Sequence, residues 1–426
     1  MRAISEGRQY IQRLSMLSHN ARLYLFATTL QGLSFGIWGV MFNLYLNLNE
    51  VGFEPDFIGN MFAVGAIATG LVALPAGLLC ERLGPKRALL IGVTSNLISL
   101  VQIVALEPSI LLFASLASGL IGTIGWVASA PFMMENSQQE ERTYLFSVDW
   151  TLMVIMGVIG SYAGGVMPDL FNTFLALPTG VETGSAVGYR VTLLISIVLA
   201  LVAVTPLLFI KEDRTVQRQR VRTLLSLQNI QSPRTIIRFM IPTALIGFGA
   251  GFIIPLFNIF FKLKFAATPE QVGSISALSS VALGIGTLVA PLLSNKMGKV
   301  KSVVVCQLLS MPFIMFITIS PTLSLAATAY VARGALMNMA GPVNTALQME
   351  MVTETERATT HGFMIMADSI PRAVTASISG EMMTGNDFYT PFLFTTITYL
   401  IASSLYFVFF RKTEKGIARA SSENVS

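Results

Sequence analysis

Three ionisable residues stand where charge is costly. Arg333, Asp368 and Arg372 lie inside long apolar runs, at residues 323–349 and 359–383. Arg333 falls about eleven residues into its run, or roughly 16 Å along a helix that rises 1.5 Å per residue. Asp368 is nine residues into the next run, with Arg372 four further on. That i,i+4 spacing puts both on one helix face. A charge at such depth in a bilayer costs about 2.5–3.5 kcal/mol on the insertion scale, so these groups pair or line a cavity. Together they sum to +1: one arginine can neutralise Asp368 and the other is left over. A guanidinium without a partner grips a carboxylate or phosphate through two parallel hydrogen bonds. A carboxylate released by its arginine can take up a proton. This is the chemistry of an anion site beside a proton-sensitive switch. The plain alternative is a permanent ionic triad between two helices.

Milder polar residues sit in other apolar runs. Residues 23–48 carry Gln31, Trp38, Asn43 and Asn47; residues 110–134 carry Thr123, Trp126 and Ser129; Asn338 follows Arg333. Gln31, Trp38, Trp126 and Asn338 are candidate binding residues. Ordinary packing explains each of them as well. Asp149 falls in the first turns of the run at 144–167. It is a second candidate proton site, although a solvated or capping role is the plainer expectation. Glu135 and Glu350, at matched run ends, read as structural partners for Arg142 and Arg357.

His19 and His361 have no companion at metal or triad spacing, and Cys80 and Cys306 read as small packing residues. No glycine-rich phosphate loop occurs. No catalysis, metal or cofactor is therefore expected.

The elements that must hold these groups are membrane helices. The chain of 426 residues is 53% hydrophobic and 12% charged, against about 25% charged in soluble domains. Apolar runs of about 20 residues recur, each enough to span a bilayer core. Spans are expected at 23–48, 58–79, 88–106, 110–134, 144–167 and 191–210, then at 239–261, 272–293, 303–319, 323–349, 359–383 and 388–410. The net charge of +5 is not a nucleic-acid signal, because the basic residues gather at helix ends. A polar segment, 211–238, carries seven of them, and the N-terminus and the tail from Arg411 are basic too. Basic loops face the cytoplasm, so both termini are expected there, as in a bacterial inner membrane protein. Lys262 and Lys264 are the main exceptions. The first twenty residues lack the pattern of a cleaved signal peptide and read as a short amphipathic segment.

The chain is written twice. Gly77-Leu78-Leu79-Cys80-Glu81-Arg82-Leu83-Gly84-Pro85-Lys86-Arg87 returns 214 residues later as a turn containing Asn295, Lys296, Gly298, Lys299 and Lys301. Gly32, Gly36 and Phe42-Asn43 match Gly247, Gly251 and Phe257-Asn258 at a shift of 215. In this turn Gly77 would let another helix approach, and Gly84 permits a positive φ. Glu81 can face a neighbouring helix N-terminus and pair with a base. Contacts of that kind can form in one state and break in another, so Gly77, Glu81, Arg82, Gly84 and Arg87, with Asn295 and Gly298 in the second copy, are candidate gating residues.

Six plus six helices, a basic central segment and this turn resemble the major facilitator superfamily across essentially the whole chain. The family's turn reads G-x-x-x-D/E-R/K-x-G-R/K-R/K; here Pro85 stands where a base is common, and Asn295 replaces the acid of the second copy. The resemblance implies an all-α membrane fold of twelve helices in two pseudo-symmetric six-helix bundles, 1–210 and 239–426, joined by the linker 211–238. It also implies that helices 1, 4, 7 and 10 line a central cavity, where Trp38 and Trp126 would give flat walls and Gln31 and Asn338 hydrogen-bonding handles. Gly157, Gly160, Gly164 and Gly165 resemble, without its proline, the G-P-x-x-G-G of the family's antiporters, and glycines so spaced also serve helix packing. The implied activity is secondary active transport of an organic, anionic or amphiphilic solute, with proton-coupled export in front. A lipid or glycolipid flippase and a solute importer stand as alternatives, and a receptor or scaffold last. The expected partners are a small-molecule or lipid substrate and membrane lipids, with no nucleic acid, around a monomer.

Overall fold

A computed structural model describes residues 18–137, 139–179, 185–211, 231–339, 341–353 and 356–411. The N-terminal segment, most of the central linker and the tail beyond Arg411 lie outside the described residues, as do the side chains of Glu81 and Arg142. Among the described residues the regular structure is helical. The first half runs α1 (His19–Leu46), α2 (Pro55–Leu83), α3 (Pro85–Val93), α4 (Ser95–Val104), α5 (Pro108–Glu135), α6 (Gln139–Phe174), α7 (Ala186–Val202) and α8 (Val204–Leu208). The second runs α9 (Pro233–Ile253), a 3-10 turn (Ile254–Leu256), α10 (Phe257–Phe265), α11 (Pro269–Met297), α12 (Lys299–Ile319), α13 (Leu323–Met339), α14 (Gly341–Glu350), α15 (Arg357–Thr384) and α16 (Thr390–Phe410). Every expected span falls on one of these helices or on a consecutive pair.

Nine stretches among the described residues are long and apolar enough to cross a membrane. Neither the stretch with Arg333 nor the one with Asp368 and Arg372 is among them. The span expected at 239–261 is interrupted where Pro255 lacks an amide to donate, and a 3-10 turn fills the gap. Helix α6 begins at Gln139, five residues before the expected start at 144, because Gln139, Glu140, Glu141 and Arg142 continue the helix beyond its apolar part.

The chain forms two compact units. One gathers Met1–Val51, Val72–Val221 and Pro269–Ala277; the other gathers Gly52–Leu71, Arg222–Thr268 and Leu278–Ser426. Each unit thus takes part of a helix from the opposite half of the sequence, and glycines make room for it. In the first unit a Cβ on Gly165 of α6 would stand 2.7 Å from the Pro269 carbonyl oxygen, and one on Gly273 of α11 would stand 2.6 Å from that of Ser161. In the second, Gly59 of α2 abuts the Ala376 carbonyl, and a Cβ on Gly380 would stand 2.5 Å from the Pro55 carbonyl oxygen. Gly59 matches Gly273 and Gly165 matches Gly380 in the duplication, so one contact has been built twice.

The pairs Gly32/Gly36 and Gly247/Gly251 do the same within the units, setting α1 against α6 and α9 against α15. Gly160 and Gly164 likewise face Leu33 and Ile37 of α1, which is helix packing.

The charged turns hold their reversals as expected: Gly84 has φ +86° and Gly298 φ +90°. Lys86 donates to the carbonyls of Leu208 (3.2 Å) and Ile210 (2.7 Å), at the end of α8, where a cation is favoured. Other expectations need correcting. Among the described residues no atom outside its own stretch of helix lies within 4 Å of a Cβ placed on Gly77, so no described helix approaches there. Glu350 pairs with Lys299 of the second turn at 2.5 Å, not with Arg357, whose Nε donates to the Met349 carbonyl at 3.1 Å. Sequence spacing favoured the nearer base, whereas the fold brings α12 against the end of α14. Arg82, Arg87 and Asn295 are exposed. The two lysines that break the charge rule are held by the protein: Lys262 is buried, and Lys264 donates to the Thr318 carbonyl and lies 5.6 Å and 5.3 Å from the Phe260 and Phe265 ring centroids.

Glu356 stands just before α15, and its carboxylate ties down the chain that enters α9. Its carboxylate accepts from the amides of Gln231 (2.6 Å), Ser232 (2.8 Å) and Thr353 (3.2 Å) and from the Thr353 hydroxyl (2.6 Å). Burial opposes its ionisation, but these donors prevail and bring its pKa down to about 2 from the ordinary 4.5. A depressed carboxylate contributes stability that is complete above its unfolded value and is lost as pH falls through the folded one. Between about pH 4.5 and pH 2 this contribution should disappear. Glu356→Gln is expected to lower the melting temperature at neutral pH and to flatten its fall over that acid range, as a thermal-unfolding series against pH would show.

Candidate functional site

Arg333 is only 3% exposed on α13. Its Nη2 donates to the Tyr399 hydroxyl of α16 at 3.2 Å, and its Cζ lies 5.9 Å from the Phe257 ring centroid of α10. Its Nε is buried and has no hydrogen-bond partner. Among the described residues no carboxylate pairs with it. A buried polar hydrogen left unbonded costs free energy comparable to a lost hydrogen bond, so this guanidinium has unused bonding capacity.

The other two charges have found each other. Arg372 Nη2 meets both oxygens of Asp368 at 2.7 Å, and its Nε donates to Oδ2 at 3.1 Å. Their side chains are partly buried, at 25% and 32% exposed. The leftover charge expected from the sequence is therefore Arg333. All three groups lie in one unit, and Tyr399 stands among them. This tyrosine is 1% exposed, hydrogen-bonds Arg333 and lies within electrostatic reach of Arg372 and Asp368. Gly249 of α9 lets the ring come close, since a Cβ there would stand 2.8 Å from its Cε1.

Sequence reading missed Tyr399 and Phe257. Both look like ordinary aromatics of apolar runs, and Tyr399 is 66 residues from Arg333. The one available signal was a hydroxyl that, if buried, needs a partner.

The remaining candidates are placed as follows. Trp38 stacks on Phe42 with centroids 4.3 Å apart. Trp126 is 63% exposed, and Gln31 is half-buried. Asn338 donates to the Gly334 carbonyl of its own helix at 2.9 Å. Asp149 is not in a first turn: it lies ten residues into α6 and accepts from Thr28 Oγ1 of α1 at 2.8 Å. That contact joins two helices and is not a cap. Among the described residues no three histidine, cysteine, aspartate or glutamate side chains gather as a metal site.

The duplication shows what the fold itself requires. Met153 and Gly157 of α6 occupy the places that Asp368 and Arg372 hold in α15, 215 residues later. Gly36 packs on the Gly157 carbonyl as Gly251 packs on that of Arg372. The same helix contact therefore forms with and without the ion pair.

Comparison with known proteins agrees with this architecture. The sequence matches the Major Facilitator Superfamily twice, over residues 24–241 and 239–425, once for each half. No curated protein matches it. Among solved structures it is similar to a bacterial homolog of the human lysosomal transporter Spinster, in an inward-facing and occupied conformation. That likeness has 13% identity and a TM-score of 0.71, covering 92% of this chain and 96% of the other. It is also similar to the nucleoside transporter NupG, at 16% identity and a TM-score of 0.68, over 92% of this chain and 99% of that one. With its helical fold, its duplicated halves and a family match spanning both of them, the chain belongs to the major facilitator superfamily and is a multi-pass membrane protein of the secondary-transport kind.

Proposed function

We propose that this protein is a proton-coupled exporter of an organic anion, or of an amphiphile with an anionic head. The working body is twelve helices in two six-helix bundles, 1–210 and 239–426, with the linker 211–238 and both termini in the cytoplasm. It works as a monomer by alternating access to a site near the membrane midplane. One observation carries the reading: Arg333 is a buried cation with a free Nε and no carboxylate partner among the described residues.

Arg333 takes the anion. Arg372 pairs with Asp368 in the resting state. When the arriving anion draws Arg372 away, Asp368 accepts a proton, and the opposite exchange releases the anion on the other side. Gln31, Trp38, Trp126 and Asn338 contribute walls and polar handles for the rest of the solute. Gly77, Glu81, Arg82, Gly84, Arg87, Asn295 and Gly298 belong to the two turns that reorganise as access alternates.

A thermal-shift screen of organic anions on the purified protein tests this. At least one should raise the melting temperature, as any ligand that binds only the folded state must. A panel of carboxylates and phosphate esters that leaves the transition unmoved would remove the anion reading.

A further inference from the structure

The two halves provide an internal control on Asp149 as well. Asp149 and Met364 are 215 residues apart, as are Thr28 and Thr243. In the first half Thr28 Oγ1 donates to Asp149 Oδ1 at 2.8 Å. In the second, the Thr243 hydroxyl meets the Met364 sulfur at 3.7 Å. The flanking glycines, Gly32 and Gly247, set both helix pairs at close range. Thus the same hydroxyl faces the same position from the same helix, but a carboxylate sits there in one half and a thioether in the other. The helix pair packs without an acid, so packing does not explain Asp149.

Its surroundings do not neutralise it either. From α1 it faces Thr28 and Tyr24, both buried, and Ser129 of α5 lies beside Tyr24. Among the described residues no lysine, arginine or histidine acts on it. A half-buried carboxylate in an apolar run, with no cation and no packing duty, is costly to keep.

We propose that Asp149 is a proton-binding site of the first unit, separate from the anion site at Arg333. In the ionised state Thr28 donates its hydrogen to Oδ1. When a proton arrives from water it bonds to the carboxylate, which then donates to Thr28 Oγ. Thr28, a hydroxyl that both donates and accepts, turns its own hydrogen to the backbone carbonyl one turn back. One proton is taken up from water in this step and returned to water when Asp149 ionises again, with no other reactant. The change reverses the direction of the bond that links α1 to α6, so proton occupancy is registered at a helix contact of the moving body.

Infrared titration of the full chain in lipid tests this without any solute. Acidification should raise a carboxylic-acid C=O band that is lost in Asp149→Met, copying Met364, and equally in the isosteric Asp149→Asn. Asp368→Asn should retain it, and Thr28→Val should shift its midpoint. A band unchanged in both Asp149 variants overturns the proposal. So does a band that sodium ions remove at constant pH, since that would make the occupant a metal cation. Because no anion is present, the result stands apart from whatever Arg333 binds.

Discussion

Arg333→Met is expected to raise the melting temperature by a few degrees while abolishing anion binding. The two effects have one cause. A guanidinium that is 3% exposed, with an unbonded Nε and no carboxylate partner among the described residues, carries a desolvation cost that the resting fold does not offset. Replacing it with an apolar side chain of similar length removes that cost, and Phe257 and Tyr399 supply an aromatic surface for the thioether. An anion held by two charge-assisted hydrogen bonds, each contributing about 1.5–3 kcal/mol, would lose binding by roughly 100-fold or more. Arg333→Lys keeps the charge but not the planar fork, so it should bind with intermediate strength. Calorimetric unfolding with and without the anions found in the screen checks both halves of the prediction. A variant that melts lower and binds undiminished would make Arg333 a structural residue.

The second large effect concerns the ion pair. Arg372→Ala leaves Asp368 without its counter-charge inside the helix bundle. Removing one partner of a fully buried pair costs about 3–5 kcal/mol. With side chains 25% and 32% exposed, solvent offsets part of that, and a loss on the order of 2 kcal/mol is expected. The double variant Asp368→Met with Arg372→Ala approaches the Met153 and Gly157 of the first half, where the same helix contact forms. It should therefore recover most of the lost stability, a strong departure from additivity. Proton coupling should be absent from both variants. Melting curves of the single and double variants decide the point. A double variant no more stable than Arg372→Ala would mean that the ion pair is a structural requirement of the second half.

Much of this architecture was legible in the residues. Apolar runs located the helices, and the paired glycines and the charged turns exposed the duplication, because close helix contacts and positive φ leave few alternatives to glycine. The i,i+4 spacing put Asp368 and Arg372 on one helix face, but which arginine neutralises Asp368 was decided only by the fold. What stayed hidden was contact at long range. Tyr399 bonding Arg333, Lys299 holding Glu350 and Thr28 reaching Asp149 each join helices far apart in sequence, and nothing in local pattern encodes such partners. Gly77 was misread for the converse reason: a small residue permits a close approach without causing one. The extent of α6 was missed because its first turns are polar, and polarity marks the edge of the apolar layer rather than the end of a helix.

The central claim is that the deep charges couple an anion to protons. Proteoliposomes containing the protein and an internal pH-sensitive dye, challenged with each anion found in the stabilisation screen, test it most directly. The account predicts anion-dependent proton movement by the wild type that vanishes in Arg333→Met and in Asp368→Asn. Anion flux that proceeds with no proton movement, or proton movement that survives both substitutions, would contradict it.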